Sequence, residues 1–431
     1  MKTGKARFWL ALTIFSLVGQ VAWVVENMYF NVFIYKMFAA GPEAISAMVA
    51  ASAASATLTT IFIGALSDKI GKRKLFMCLG YILWGISILS FAFIRVDIIS
   101  RFVPVAQAAT VGISLVIIMD CVMTFFGSSA NDACFNAWLT DSTNDGNRGA
   151  AEGINAMMPL VSILVVFGGF MSLDQGKADS WTIIFSVIGI AVLLIGILGI
   201  FLIKDPAVKQ EENSRIFYNI FYGFRPSVIK ANPALYLTLF SFAVFGISIQ
   251  IFMPYLIIYY EKTLQMANYV FIMAPAIILA SVFTALYGRF YDKAGFKKSV
   301  SLSVLLLIAG YAVLYFFKTT APVFIGSLLM MCGYLSGMAV FGAMLRDNTP
   351  KNKAGMFQGL RIIGQVLIPG IIGPYIGAAV LSGAEMIENG DGTQSFLPNV
   401  NIFLAAGVVA IVLCGVLAAE FMFLKRVKKD A

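Results

Sequence analysis

The chain has 431 residues, 60% of them hydrophobic and 12% charged, with a formal net charge of +9. Soluble domains carry roughly 25% charged residues, so this composition excludes an ordinary water-soluble globule and makes a bilayer the main solvent. There is no histidine, and the five cysteines (Cys78, Cys121, Cys134, Cys332, Cys414) show no metal-ligand spacing; zinc, haem and histidine-based acid–base chemistry are disfavoured, and no metal or cofactor is expected.

Taken in chain order, Lys2, Lys5 and Arg7 precede an apolar run from Phe8 to about Tyr35. That run exceeds the roughly 7–15 residues of a signal-peptide core, so it reads as a retained first helix. Helical spans are predicted near 8–36, 44–66, 75–94, 111–139, 150–172 and 181–203. A polar, charged connection at 204–232 follows, and six more spans fall near 234–260, 268–288, 299–317, 321–345, 355–382 and 399–424. Each matches the ~20 residues needed to cross a ~30 Å hydrocarbon layer, and none shows the ~10-residue alternation of barrel strands. The expected fold class is an all-α membrane protein of twelve transmembrane helices. Its two six-helix bundles occupy 1–203 and 233–431, joined by a linker at 204–232.

Lys and Arg resist translocation, and their distribution sets an orientation. With both termini assigned to the cytoplasm, 24 of the 31 basic residues lie on the cytoplasmic side, 6 lie opposite and Arg361 falls within a span. The basic excess is thus an orientation signal for a multi-pass protein of the cell membrane, not a nucleic-acid footprint.

The chain contains an internal repeat. Gly64-Ala-Leu-Ser-Asp68-Lys-Ile-Gly71-Lys-Arg73-Lys74 after the second span recurs as Gly288-Arg-Phe-Tyr-Asp292-Lys-Ala-Gly295-Phe-Lys297-Lys298 after the eighth, at an offset of 224. Leu139-Thr-Asp141-Ser-Thr143, leading to Gly149 and Gly153, recurs as Leu345-Arg-Asp347-Asn-Thr349, leading to Gly355 and Gly359, at an offset of 206. Gly64 permits close helix approach and Gly71 a tight turn. Asp68 sits where a helix N-terminus or an arginine would hold it, a contact suited to conformational switching. Two parallel repeats suggest a substrate path at their interface.

The Gly-x-x-x-Asp-x-x-Gly-x-Arg-Lys pattern, the six-plus-six repeat and the central loop resemble the major facilitator superfamily over essentially the whole chain. Within it, Asn131-Asp132-Ala-Cys-Phe135-Asn136-Ala-Trp138, followed by Asp141 and Arg148, resembles the glycoside–pentoside–hexuronide cation symporters, whose type member is the melibiose permease. That resemblance implies sugar import with sodium or protons, a fourth-helix Asp at Asp132 and a monomer. The group's second-helix acidic pair falls near Ala56 and Thr60, and its first-helix acid near Val21, with Glu26 five residues on.

A charge in hydrocarbon costs about 2.5–3.5 kcal/mol on insertion scales, and four groups stand out: Glu26, Asp120, Asp132 and Arg361. On the first helix Gln20, Trp23, Asn27 and Asn31 share one face by spacing, with Glu26 and Tyr29 beside it. Amides, a carboxylate and rings suit a sugar. On the fourth, Asp120, Thr124, Asn131, Phe135 and Trp138 form a stripe flanked by Ser128 and Asp132. Asp132 lies at intermediate depth, whereas Asp120 is expected near the outer surface and in contact with water. On the eleventh, Gln358, Arg361 and Gln365 share a face, with Asp132 and Glu26 as candidate partners of Arg361. Asp132 or Glu26 is the expected site of proton or cation coupling, tuned by Arg361. Pro159, Pro254, Pro275, Pro369 and Pro374 are read as architectural kinks.

The expected function is sugar or glycoside symport with a proton or sodium by alternating access; the alternative is proton-driven efflux of a drug or metabolite. Neither a soluble signalling domain nor a nucleophile–base pair or phosphate loop is apparent, so no enzyme is expected. The expected partners are a small-molecule substrate, a co-transported cation and membrane lipid, with no nucleic acid.

Overall fold

The computed structural model describes residues 2–143, 147–205, 221–266, 268–350, 357–390 and 392–430. Hydrocarbon offers no partner to a free backbone amide or carbonyl, so a spanning chain has to satisfy these groups within itself. Among the described residues, eleven helices are long and apolar enough to cross a membrane. One of them, Val270–Phe316, has 47 residues, about 70 Å at the helical rise. It is broken at Gly295, whose φ of 75° and ψ of 173° lie outside any helix. It therefore counts as two, and the spans number twelve.

They are α1 (Ala6–Phe38), α2 (Pro42–Ile70), α3 (Arg73–Phe93), α4 (Val105–Ser142), α5 (Arg148–Phe170), α6 (Ala178–Leu202) and α7 (Pro233–Thr263). Then come α8 and α9 (270–294 and 296–316), α10 (Thr320–Asn348), α11 (Gly359–Leu381) and α12 (Asn401–Asp430). Most helices outrun the predicted spans by a few residues because they extend past the apolar window into polar surroundings. One element was not foreseen. Between α11 and α12, β1 (Met386–Glu388) pairs antiparallel with β2 (Gln394–Phe396). Its tight turn uses Gly392 at φ 80°, and Asn389 bonds to Thr393 and Ser395 across it.

The chain divides into two compact units, Met1–Ala44 with Ala51–Phe217, and Ile45–Ala50 with Tyr218–Ala431. In the first, rings knit α1, α3 and α6 together: Phe30 meets Phe91 at 4.6 Å, and Phe33 meets Phe185 at 4.9 Å and Trp181 at 5.2 Å between centroids. In the second, Phe341 of α10 stacks on Phe242 of α7 at 5.0 Å, and Phe403 of α12 meets Tyr259 at 5.2 Å. Outside the membrane-spanning segments, Arg95 bonds to Asp97 and Asp179 at 2.9 and 2.7 Å. Its guanidinium holds the Asp97 carboxyl below its ordinary range.

Four spans contain a wide π-turn: Val25–Tyr29 in α1, Ser128–Phe135 in α4, Tyr259–Thr263 in α7 and Ile363–Leu367 in α11. Such insertions often mark functional positions, and these hold Glu26, Asn131, Asp132 and Gln365. Pro254 lies in a 3₁₀ turn, Met253–Tyr255, within α7.

In membranes, helices associate through close packing of small residues. The α3–α6 crossing depends on this at Gly85, where an added Cβ would sit 2.5 Å from the Leu193 nitrogen and 2.7 Å from the Gly189 carbonyl. Gly85→Leu is expected to lower the melting temperature of the purified protein, consistent with overpacking costs of about 1–3 kcal/mol. Gly168→Ala, where nothing lies within 4 Å of the added Cβ, should leave it unchanged.

Candidate functional site

Glu26, Asp120 and Asp132 of the first unit lie well inside their spans. Glu26 sits in the α1 π-turn, 7% exposed. Its Oε1 accepts the hydroxyls of Ser52 (α2) and Thr124 (α4), each at 2.8 Å, and those two hydroxyl oxygens are themselves 2.8 Å apart. Its Oε2 is buried without a hydrogen-bond partner. One turn from Thr124, Asp120 is 2% exposed, with Oδ1 likewise buried and unpartnered, and Ser52 lies within its reach. Asp132, half-buried, accepts the Ser128 hydroxyl at 2.9 Å. Glu26 is close enough to interact electrostatically with both Asp120 and Asp132. Among the described residues, no three His, Cys, Asp or Glu side chains cluster as a metal site.

The expectation for Asp120 is therefore corrected: it is sealed beside Glu26 rather than wetted near a surface. Depth along a helix says nothing about which neighbour covers it.

The predicted α1 face is corrected too. Gln20 and Trp23 are half-buried, Asn27 is exposed, and Asn31 is turned inward at 3% exposure. The π-turn inserts one residue, which rotates all that follows by about 100°. Asn27 and Asn31 donate to the carbonyls of Trp23 and Asn27, at 2.8 and 3.1 Å. The Trp23 ring lies 5.1 Å from Trp84.

On α4 the stripe is real and faces inward: Asp120, Thr124, Asn131, Phe135 and Trp138 are all buried. Asn131 accepts from Tyr81 at 3.0 Å. Trp138 donates to the Lys204 carbonyl at 3.1 Å and packs on Phe8. It lies fourteen residues from Thr124, roughly 20 Å along the helix, so it stands apart from the acids.

In the second unit, Arg361 is half-buried with Nε lacking a hydrogen-bond partner, and the charge acting on it is the like charge of Arg346. Gln365 is half-buried in the α11 π-turn. The side chains of Gln358 and Arg148, and Gly355 altogether, lie outside the described residues. Sequence reasoning missed Glu420, which is 1% exposed in α12 and accepts hydroxyls from Thr238 at 2.7 Å and Ser241 at 2.5 Å. The rule that flagged the other acids applies equally to it.

The first repeat motif forms a clasp. Gly71, at φ 68°, ends α2 in the left-handed conformation, and the chain turns straight into α3. Gly64 faces Ala133 of α4, where an added Cβ would lie at 3.9 Å. Arg73, with its side chain 6% exposed, bonds to the Ser67 hydroxyl at 2.6 Å, to Asp141 at 3.2 Å and to Asp68. The two motifs of the first half thus meet at one guanidinium.

The second copy keeps the turn, with Gly295 at φ 75°, but not the clasp. Lys297 replaces the arginine and lies over the Phe421 ring at 5.4 Å. Tyr291, where the first copy has Ser67, donates directly to Asp347 at 3.0 Å, while Asp292 is exposed. Lysine cannot supply the planar fork that joins two carboxylates at once.

Apolar membrane-length spans with hydroxyl-caged carboxyls buried in each unit make this an integral membrane protein. The sequence profile described as Major Facilitator Superfamily matches residues 8–374, and the chain belongs to that family. It is therefore a secondary transporter rather than an enzyme. No curated protein matches the chain. Similar solved structures include a variant of the nucleoside transporter NupG (13% identical, TM-score 0.72, 96% of this chain and 99% of that one). A bacterial homolog of the human lysosomal transporter Spinster is 14% identical, with TM-score 0.70 over 99% of this chain and 98% of that one. A D-xylose-proton symporter is 16% identical, with TM-score 0.69 over 96% of each chain. At these identities the likeness establishes the fold.

Arg73→Ala is expected to lower the apparent melting temperature, consistent with losing charged hydrogen bonds worth about 1.5–3 kcal/mol each. In double-mutant cycles, coupling to Asp141 should exceed coupling to Asp68, because their side chains are 28% and 63% exposed and water screens the second pair.

Proposed function

We propose that this protein carries a hydrophilic solute, a sugar or glycoside, in symport with a proton, using Glu26 and Asp132 as the coupling acids and Asp120 as the partner of Glu26. The observation that carries this reading is the pair of unpartnered buried oxygens on Glu26 and Asp120. Two adjacent carboxyls out of water cannot both stay ionised cheaply unless a cation joins them. Ser52 and Thr124 together bring only two hydroxyl protons, so a third proton resolves the pair.

Several features support a polar solute. Gln20, Trp23, Asn27, Arg361 and Gln365 retain accessible surface, and they combine amides, a ring and a cation. The structural neighbours named for nucleoside and D-xylose carry polyhydroxylated molecules. The Asp132 segment adds its resemblance to the glycoside–pentoside–hexuronide symporters. In this reading the halves 1–203 and 233–431 rock about the linker 204–232; the clasp of Gly64, Asp68, Gly71 and Arg73 alternately forms and opens, and in the second copy the Asp292 and Gly295 turn takes part through the Tyr291–Asp347 bond. The protein acts as a monomer in the cell membrane with both termini in the cytoplasm.

The test is uptake of labelled sugars into proteoliposomes under an imposed proton or sodium gradient. With one proton per solute, about one pH unit drives roughly tenfold accumulation. Glu26→Gln and Asp132→Asn are expected to abolish that accumulation while sparing downhill exchange. Unchanged accumulation in both variants, or net extrusion of amphipathic drugs with no sugar flux, would refute the reading.

A further inference from the structure

Glu420 ties α12 to α7, and beside that tie runs an apolar groove of about 640 Å³. Leu237 and Phe240 of α7 and Val416, Ala419 and Phe423 of α12 line it, together with Lys230. Both Glu420 oxygens are engaged by Thr238 and Ser241, so the floor offers no unpaired polar atom to a ligand. The groove therefore accepts an apolar chain. Lys230 belongs to the short helix Pro226–Ala231 that leads into α7. That segment exposes Phe221 at 54%, Phe224 at 41% and Ile229 at 41%, the aromatic and aliphatic mix of a bilayer interface. Lys230 is exposed and is one of the residues lining the groove.

We propose that this groove is a binding site for an anionic phospholipid, with one acyl chain lying between Phe240 and Phe423 and the phosphate paired with Lys230. The bilayer offers chain contacts everywhere, so an apolar slot alone selects no lipid; the preference comes from the cation. One lysine near a membrane surface confers a preference of about fivefold for an anionic headgroup. The molecule carries its own comparison. A second apolar groove of about 490 Å³, walled by Val21 of α1, Val165 of α5 and Val187 of α6 among others, has no charged lining residue and takes lipid without headgroup preference.

The experiment is native mass spectrometry of the delipidated full-length protein, titrated with phosphatidylglycerol or phosphatidylcholine of identical chains. The first phosphatidylglycerol is expected to bind about fivefold more tightly than the first phosphatidylcholine. Lys230→Gln should abolish that difference, Lys230→Arg should keep it, and Ala419→Trp, which fills the slot, should remove it while the melting temperature holds. Equal binding of the two lipids to the unaltered protein, or a preference that survives Lys230→Gln, would overturn the proposal. Neither outcome depends on which solute is carried.

Discussion

A polar group held in hydrocarbon has to find its partner inside the protein, and this constraint shapes each level of the molecule. It makes the backbone helical in all twelve spans. It gives Glu26 two hydroxyls from two other helices, and Glu420 two hydroxyls from α7. It also packs α3 against α6 through Gly85, because backbones that approach closely gain contacts that lipid cannot match. The demand is left unmet at Glu26 Oε2 and Asp120 Oδ1, where the proposed coupling places its proton.

The same principle separates the two copies of the repeat. In the first, Arg73 satisfies Ser67, Asp68 and Asp141 together, a three-way contact that only a guanidinium fork provides. In the second, a lysine on a phenyl face and a tyrosine–carboxylate bond do the equivalent joining. The duplicated sequence has thus kept its turns, at Gly71 and Gly295, and diverged in its polar chemistry.

Much of the fold was legible in the residues. Hydropathy located all twelve spans, because span length is imposed by bilayer thickness rather than by packing. The break at Gly295 was visible as a duplicate of Gly71. What stayed hidden depends on neighbours. The π-turn at Val25–Tyr29 has no sequence signature and separates Asn27 from Asn31. Asp120 looked superficial by depth, yet Glu26 and Ser52 surround it. Glu420 passed unremarked in the last span, yet Thr238 and Ser241 of α7 bond it. The hairpin at β1 and β2 lies in a stretch whose Gly and Asn content reads as loop.

The central claim is that solute entry moves a proton through the Glu26 carboxyl. It is tested most directly by following internal pH in proteoliposomes when solute is added outside at equal pH and without sodium. The account predicts acidification of the lumen in step with solute uptake, absent in Glu26→Gln vesicles that still exchange solute. Solute accumulation with a stationary internal pH and a strict sodium requirement would contradict it.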